Sequence, residues 1–199
     1  MLPASLIEQA KKNESEREWV QEVLSEWELI VDSWEQVRER PGEYQEQKKY
    51  YSGKKKNHTL KSQVIVTPKK VEIVDVTVGK PGPHSDIKLF REKLSEFAKN
   101  QKFKGDKGYL GENQIETPHK KPKKRELTSE EKQENKQLSS QRIVVEYAIR
   151  LVKIFRIAQE RFRLRPKHYE QVILTVCGLV RLRIGAVILP TLKSAISQG

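Results

Sequence analysis

Three carboxylates far apart in this chain, Asp32, Asp106 and Glu146, occupy positions from which they could converge on a pair of divalent cations. Asp32 closes the apolar run Leu29-Ile30-Val31. Asp106 lies in Phe103-Lys104-Gly105-Asp106-Lys107-Gly108-Tyr109. Glu146 belongs to a helical pattern whose same face carries Arg142, Arg150 and Lys153. Two cations roughly 3.5–4 Å apart stabilise both the attacking and the leaving oxygen of a phosphoryl transfer. The chemistry suggested is therefore metal-dependent cutting of nucleic acid.

Each feature has a plainer reading beside it. Arg142, Glu146, Arg150 and Lys153 recur at helical spacing, so they form one stripe. A solvated helix laced with ion pairs would show the same stripe. Gly-Asp-Lys-Gly is also a common turn. Against these, Asp32 follows three apolar residues, which predicts a carboxylate emerging where a buried strand ends at the sheet's edge. Gly105 and Gly108 would let backbone and metal approach Asp106 closely.

The elements that must position these groups follow from periodicity. Residues 5–27 have helical spacing and residues 28–34 read as a buried strand. Residues 60–66 and 71–78 read as two further strands, joined through Pro68-Lys69-Lys70. Lys80-Pro81-Gly82-Pro83 is expected to stop the second of them, since proline has no amide to donate. Ser85 is a good N-cap for a helix over 86–98, with Asp86 in its first turn. Residues 101–109 predict a short fourth strand ending near Asp106, and 114–117 a possible fifth. Thr128-Ser129-Glu130-Glu131 supplies a cap for a helical region reaching Phe162, with a break expected near residues 138–139. Its opposite surface carries Val144, Val145, Ala148, Leu151, Val152, Phe155 and Ile157. A last helix covers 169–188. The economical solution is an α/β fold, a mixed sheet of about five strands flanked by helices.

Composition sets the class of partner. The chain has 199 residues, enough for one sizeable domain, and a formal net charge of +12 that favours polyanions. Lys54, Lys55 and Lys56, and then Lys120, Lys121, Lys123 and Lys124, concentrate that charge in two short runs. Cys177 is the single cysteine and reads as an inert buried thiol, so disulfides are excluded and a cytoplasmic setting fits. The four histidines have no zinc-ligand spacing. The most apolar stretch, 172–189, is interrupted by Arg181 and Arg183, and reads as a core helix rather than a membrane span.

The pattern Arg142-x3-Glu146-x6-Lys153, preceded by Gly105-Asp106-Lys107-Gly108-Tyr109 and Val31-Asp32-Ser33, resembles the catalytic domain of DDE transposases of bacterial insertion sequences. Within them it looks like the superfamily-4 branch related to Harbinger-type elements. The run from Tyr50 to Lys61 (Tyr-Tyr-Ser-Gly-Lys-Lys-Lys-Asn-His-Thr-Leu-Lys) carries the same resemblance. So do Pro81-Gly82-Pro83-His84-Ser85-Asp86, Thr117-Pro118-His119-Lys120-Lys121-Pro122 and Val176-Cys177-Gly178-Leu179. It covers roughly residues 5–190.

That resemblance implies an RNase H-like fold, with the first Asp ending strand one, the second ending strand four, and the Glu on a later helix. Asp32, Asp106 and Glu146 would be the catalytic and metal-binding set, and Asp86 is a rival for the second place. It implies Mg2+ or Mn2+, as two ions, and hydrolysis at transposon ends followed by attack of a 3′-hydroxyl on target DNA. Arg142 and Lys153 would hold phosphates near the cut, while Lys54, Lys55, Lys56, Lys120 and Lys121 would attract double-stranded DNA. A homo-oligomer on DNA, associated with the nucleoid, is the implied working form. The expected organisation is a helical lead-in over 1–27, the endonuclease domain over 28–190 and a tail over 191–199. Family members carry a helix-turn-helix ahead of this core, and too few residues precede the first predicted strand to form one. A truncated copy, an internal start or the second frame of a split gene is therefore expected. A nuclease without strand transfer, or a basic DNA-binding remnant without activity, are the alternatives.

Overall fold

The structure is a computed structural model and describes residues 2–11, 13–69, 71–123 and 125–185. Lys124, the end of the expected last helix and the 191–199 tail lie outside these residues.

Strand β1 (Glu28–Val37) is the centre of the sheet. It pairs antiparallel with β3 (Asn57–Val66), from Ile30 opposite Val66 to Val37 opposite Thr59. The far edge of β3 pairs with β4 (Ile73–Pro81) and, at its start, with the two-residue β2 (Tyr51–Ser52). On its other side β1 pairs in parallel with β5 (Lys102–Lys104), which pairs in parallel with β6 (Ile115–Glu116). The order β4-β3-β1-β5-β6, antiparallel in the first three and parallel in the last, is the RNase H-like arrangement the sequence implied.

Alternation along β1 sorts two cores. Ile30 and Trp34 face the helices α5 (Ser129–Lys153) and α7 (Tyr169–Arg183), packing with Val145, Ala148, Val152 and Ile173. Leu29 and Val31 face α1 (Leu6–Ala10), α2 (Glu14–Ser25) and α4 (Asp86–Arg91), packing with Leu6, Val20, Phe90 and Phe103. One short helix, α3 (Tyr44–Tyr50), buries no residue.

Several boundaries differ from expectation. Residues 5–27 form two helices rather than one, because Asn13 turns its side chain onto the Ser15 amide and starts α2 anew. β1 continues to Val37, three residues past the predicted end, because β3 supplies partners that far. β4 runs through Pro81, which is tolerated at the last position of an edge strand. The 86–98 helix stops at Arg91 and resumes only as a 3-10 turn at Leu94–Glu96. The fourth strand is three residues long. The expected break near 138–139 is absent. α5 is continuous for 25 residues from a full capping box between Thr128 and Glu131, and the chain breaks instead after Lys153, before α6 (Arg156–Gln159).

Arg181 interrupts the apolar α7 for a structural reason. It is 2% exposed and donates to Glu72 (2.6 Å), to the carbonyls of Pro3 and Ser5 (3.0 Å each) and to Gln9 (3.1 Å). It therefore ties the amino-terminal segment and the start of α1 to α7. No helix among the described residues is long and apolar enough to cross a membrane. Cys177 is free and buried, and burial pushes its thiol up to about 12. Replacing Arg181 by Met removes the buried guanidinium that serves Glu72, Gln9 and the carbonyls of Pro3 and Ser5, and urea unfolding should show a loss of about 3–5 kcal/mol. The E72M/R181M double variant should recover most of it, and a double variant as unstable as the single would refute this account.

Candidate functional site

The site is set by how β1 loses its partner. Its parallel ladder with β5 ends at Ile30 opposite Lys104. Asp32 and Asp106 each lie two residues beyond that last pair, so they stand at the same level of adjacent parallel strands. Asp32 is thus not at the end of β1 as predicted, but at the end of its pairing with β5. Because it alternates with Ile30 and Trp34, Asp32 faces α5, from which Arg142 approaches to 3.4 Å. The Ser33 amide donates to the Asp32 carboxylate at 2.8 Å.

Burial raises the Asp32 carboxyl from 3.8 to about 6. The Ser33 amide and Arg142 lower it, and the negative charges of Asp106 and Glu146 raise it again. Asp106 and Glu146 therefore both act on Asp32. Glu146 is exposed on α5 one turn after Arg142. Lys153, two turns further, is pulled below its ordinary value by burial and by Lys55, against the attraction of Asp32. An open depression of about 540 Å³ joins Asp32, Glu146 and Lys153, with Trp34, Arg150 and Gln159 also in its lining and Asp106 and Arg142 outside it. A larger one of about 780 Å³ lies toward the start of β1, around Trp27, Glu28 and Lys102, and holds none of the predicted site residues.

Asp86 occupies the other face. Ser33 points away from Asp32 and donates its hydroxyl to Asp86 at 2.6 Å, and Lys61 lies 3.0 Å from the same oxygen. Ser85, not Asp86, caps α4. Asp86 and Asp106 nonetheless meet at Gly108, where a Cβ would come within 2.8 Å of one carboxylate oxygen and 2.9 Å of the other. Asp106 itself accepts from the Gly108 amide at 2.8 Å and caps the turn Lys107–Tyr109. At Gly105 the close approach seen is that of side chains. A side chain there would strike the Tyr109 ring at 2.8 Å and Ile115 at 3.1 Å.

Tyr109 was missed in the sequence. It is fully buried, hydrogen-bonded to Gln63 at 3.0 Å, and burial with the charges of Asp86, Asp32 and Asp106 holds its hydroxyl protonated. Its signal was present, since an aromatic beside two glycines marks a ring that needs their space. Of the basic residues, Lys55 reaches the site, in the exposed turn it shares with Lys54 and Lys56. Lys120 and Lys121 are exposed on the loop leading to α5, where Lys121 pairs with Glu126, and no contact joins them to Asp32. Arg150 lies over the Tyr147 ring, 4.9 Å from its centroid.

The donor chemistry fits a hard divalent cation, since the groups are carboxylates and burial leaves Asp32 short of positive charge. Among the described residues no three His, Cys, Asp or Glu side chains are assembled closely enough to hold one ion. Arg142 offsets the charge instead, with its Nε buried and without a hydrogen-bond partner.

The raised Asp32 carboxyl has a consequence for stability. Folding favours its protonated form, so its contribution is present below about pH 4 and is lost as pH rises through about 6. At pH 7.5 in EDTA the ionised group should cost on the order of 3 kcal/mol. Asp32→Asn should therefore be more stable than the wild type at pH 7.5, with the gain shrinking toward pH 5. Chemical denaturation at both pH values measures it. An Asn variant with no gain at pH 7.5 would mean that Asp32 is solvated.

Known proteins bear on this geometry. Residues 31–181, from the residue before Asp32 to Arg181, match the family described as DDE superfamily endonuclease. Over 145 residues the chain is 39% identical to a probable transposase for insertion sequence element IS702 from Microchaete diplosiphon, an alignment covering 71% of this chain. The chain spans about half (51%) of that relative's length. No solved structure matches the chain significantly. With three quarters of its length inside the family match, the chain belongs to the DDE superfamily of endonucleases.

Proposed function

We propose that this chain is the catalytic part of an insertion-sequence transposase, cutting double-stranded DNA at transposon ends and joining the freed end to target DNA. The observation that supports the reading is that Asp32 and Asp106 each follow the last pair of the parallel strands β1 and β5 by two residues, with Glu146 on α5 acting on Asp32. Asp32, Asp106 and Glu146 are the metal-binding and catalytic set. Asp86, turned to the other face and engaged by Ser33 and Lys61, supports the polar floor beneath Gly108. The catalytic unit is taken as residues 28–190, with 1–27 as its helical lead-in and 191–199 as its tail.

Bound by these carboxylates, a pair of Mg2+ or Mn2+ ions would lower the pKa of the attacking water or 3′-hydroxyl and stabilise the leaving oxygen. The chain's own residues do the rest. Arg142 and Lys153, on the α5 side of Asp32, hold the phosphates flanking the scissile bond. Hydrolysis places a water oxygen on phosphorus and expels the 3′-oxygen. Joining uses that 3′-oxygen as the nucleophile and expels another from the target. Lys54, Lys55 and Lys56 present charge at the rim, and Lys120 and Lys121 add attraction independent of sequence. A homo-oligomer assembled on DNA would bring two ends together.

Nicking of supercoiled DNA in Mg2+ or Mn2+ tests the reading. Asp106→Asn should reduce the nicking rate by at least about a thousandfold, on the scale of losing a principal electrostatic group. Salt-sensitive DNA binding should remain. Asp86→Asn should nick at close to the wild-type rate. Loss of nicking in Asp86→Asn alone would transfer the second metal position to Asp86. Nicking without joining of a cut terminal repeat would indicate a nuclease of this fold. Binding with no metal-dependent nicking would indicate an inactive remnant.

A further inference from the structure

Beyond Lys153 and α6 the chain runs extended through Arg161-Phe162-Arg163-Leu164-Arg165 to the 3-10 turn Pro166–His168. Two anchors fix this run to β1. Gln36 is 2% exposed and donates its amide to the carbonyls of Ile157 and Glu160, both at 2.7 Å. The Phe162 amide donates to the Val37 carbonyl at 2.8 Å, making a parallel bridge with Arg38, and its ring packs edge-on against Tyr169 at 4.8 Å.

Phe162 is buried, while Arg161 and Arg163 on either side of it, and then Leu164 and Arg165, are exposed. Arg161 lies 3.9 Å from Glu39. Among the described residues, neither Arg163 nor Arg165 forms an ion pair. The one carboxylate between residues 156 and 168, Glu160, is engaged by Arg156 at 2.7 Å. Arg163 and Arg165, held beside an anchored Phe162 and without acidic partners among the described residues, form a surface prepared for an anion rather than for internal pairing.

Its place is informative. The edge of β1 pairs with β5 up to Ile30 and with this run from Val37 onward. Asp32 and Trp34 lie in the interval between, and Gln159 carries the lining of their depression toward the run. The arginines begin five residues beyond Asp32, roughly 17 Å along the strand, on the order of five base-pair steps of B-form DNA.

We propose that residues 161–165 are a rail for duplex DNA, with Arg163 and Arg165 binding backbone phosphates on the side of the cut away from Asp106. The placement of the cut rests on the function proposed above. The binding itself does not.

Fluorescence anisotropy of the full chain with a 30-base-pair duplex, in EDTA and across a series of KCl concentrations, tests it. R163Q/R165Q should make the slope of log affinity against log salt shallower by about 1.8, at about 0.9 for each phosphate contact. R163K/R165K should keep the wild-type slope. K88Q/K99Q removes the same charge from exposed positions near α4, across the sheet, and should also keep it. A wild-type slope in R163Q/R165Q, an equal change in K88Q/K99Q, tighter binding to a single strand of equal length, or no binding by the wild type would each overturn the rail. If the slope changes as expected but metal-dependent nicking is absent, the rail stands and the cutting function falls. If nicking is present and the slope is unchanged, the rail falls alone.

Discussion

The site depends on an asymmetry in how β1 is hydrogen-bonded. One edge is paired with β3 from Ile30 to Val37. The other is paired only near its ends, with β5 as far as Ile30 and with the Phe162 segment from Val37. A central strand that loses a neighbour halfway must expose or otherwise cover its polar backbone, so such an opening persists only where something else makes use of it. Here the opening holds Asp32 on one face and Ser33 on the other. Each points at a different charged element, Arg142 on α5 and Asp86 on α4. Everything polar about the site follows from those two adjacent residues facing opposite ways.

Much of this was legible beforehand, and the reason is local. Alternation and apolar runs identified β1, β3 and β4, and one stripe on α5 grouped Arg142, Glu146 and Lys153 before any fold was known. The capping box at Thr128 and Glu131 was readable from four residues. What escaped was set by partners distant in sequence. The end of β1 is decided by β3, some 25 residues later, so three apolar residues before Asp32 could not mark it. The break at Asn13 was local, but Asn13 is polar in a polar stretch and its cap shows only when its side chain is seen on the Ser15 amide. Ser139 and Ser140 suggested a break that α5 ignores. Ser140 returns its hydroxyl to the Gln137 carbonyl at 2.7 Å, which a continuous helix accommodates.

The second carboxylate illustrates the same limit. Asp86 and Asp106 both follow strands, and spacing alone ranks them poorly. They differ in position. Asp106 shares its level with Asp32 through three parallel pairs, whereas Asp86 approaches from the opposite face and reaches Asp32 only through the backbone between residues 32 and 33. Their meeting at Gly108 explains why both looked eligible. A glycine with two carboxylates crowding its Cβ position is a junction between the faces, and any larger residue would push them apart.

The electrostatics of the depression decide what it can hold. Asp32 is raised although Arg142 is beside it, and Lys153 is lowered although Asp32 attracts it. If mutual attraction dominated, both would shift the other way, so burial outweighs pairing on both sides. The site therefore carries charges of both signs whose partial burial is not fully offset by their neighbours. A cation near the carboxylates and a phosphate near Lys153 would each meet a partner already desolvated, in surroundings where Coulomb forces are less screened than in bulk water. Under the function proposed above, a cation beside Asp32 and a phosphate beside Lys153 would offset the cost that burial imposes on each of them.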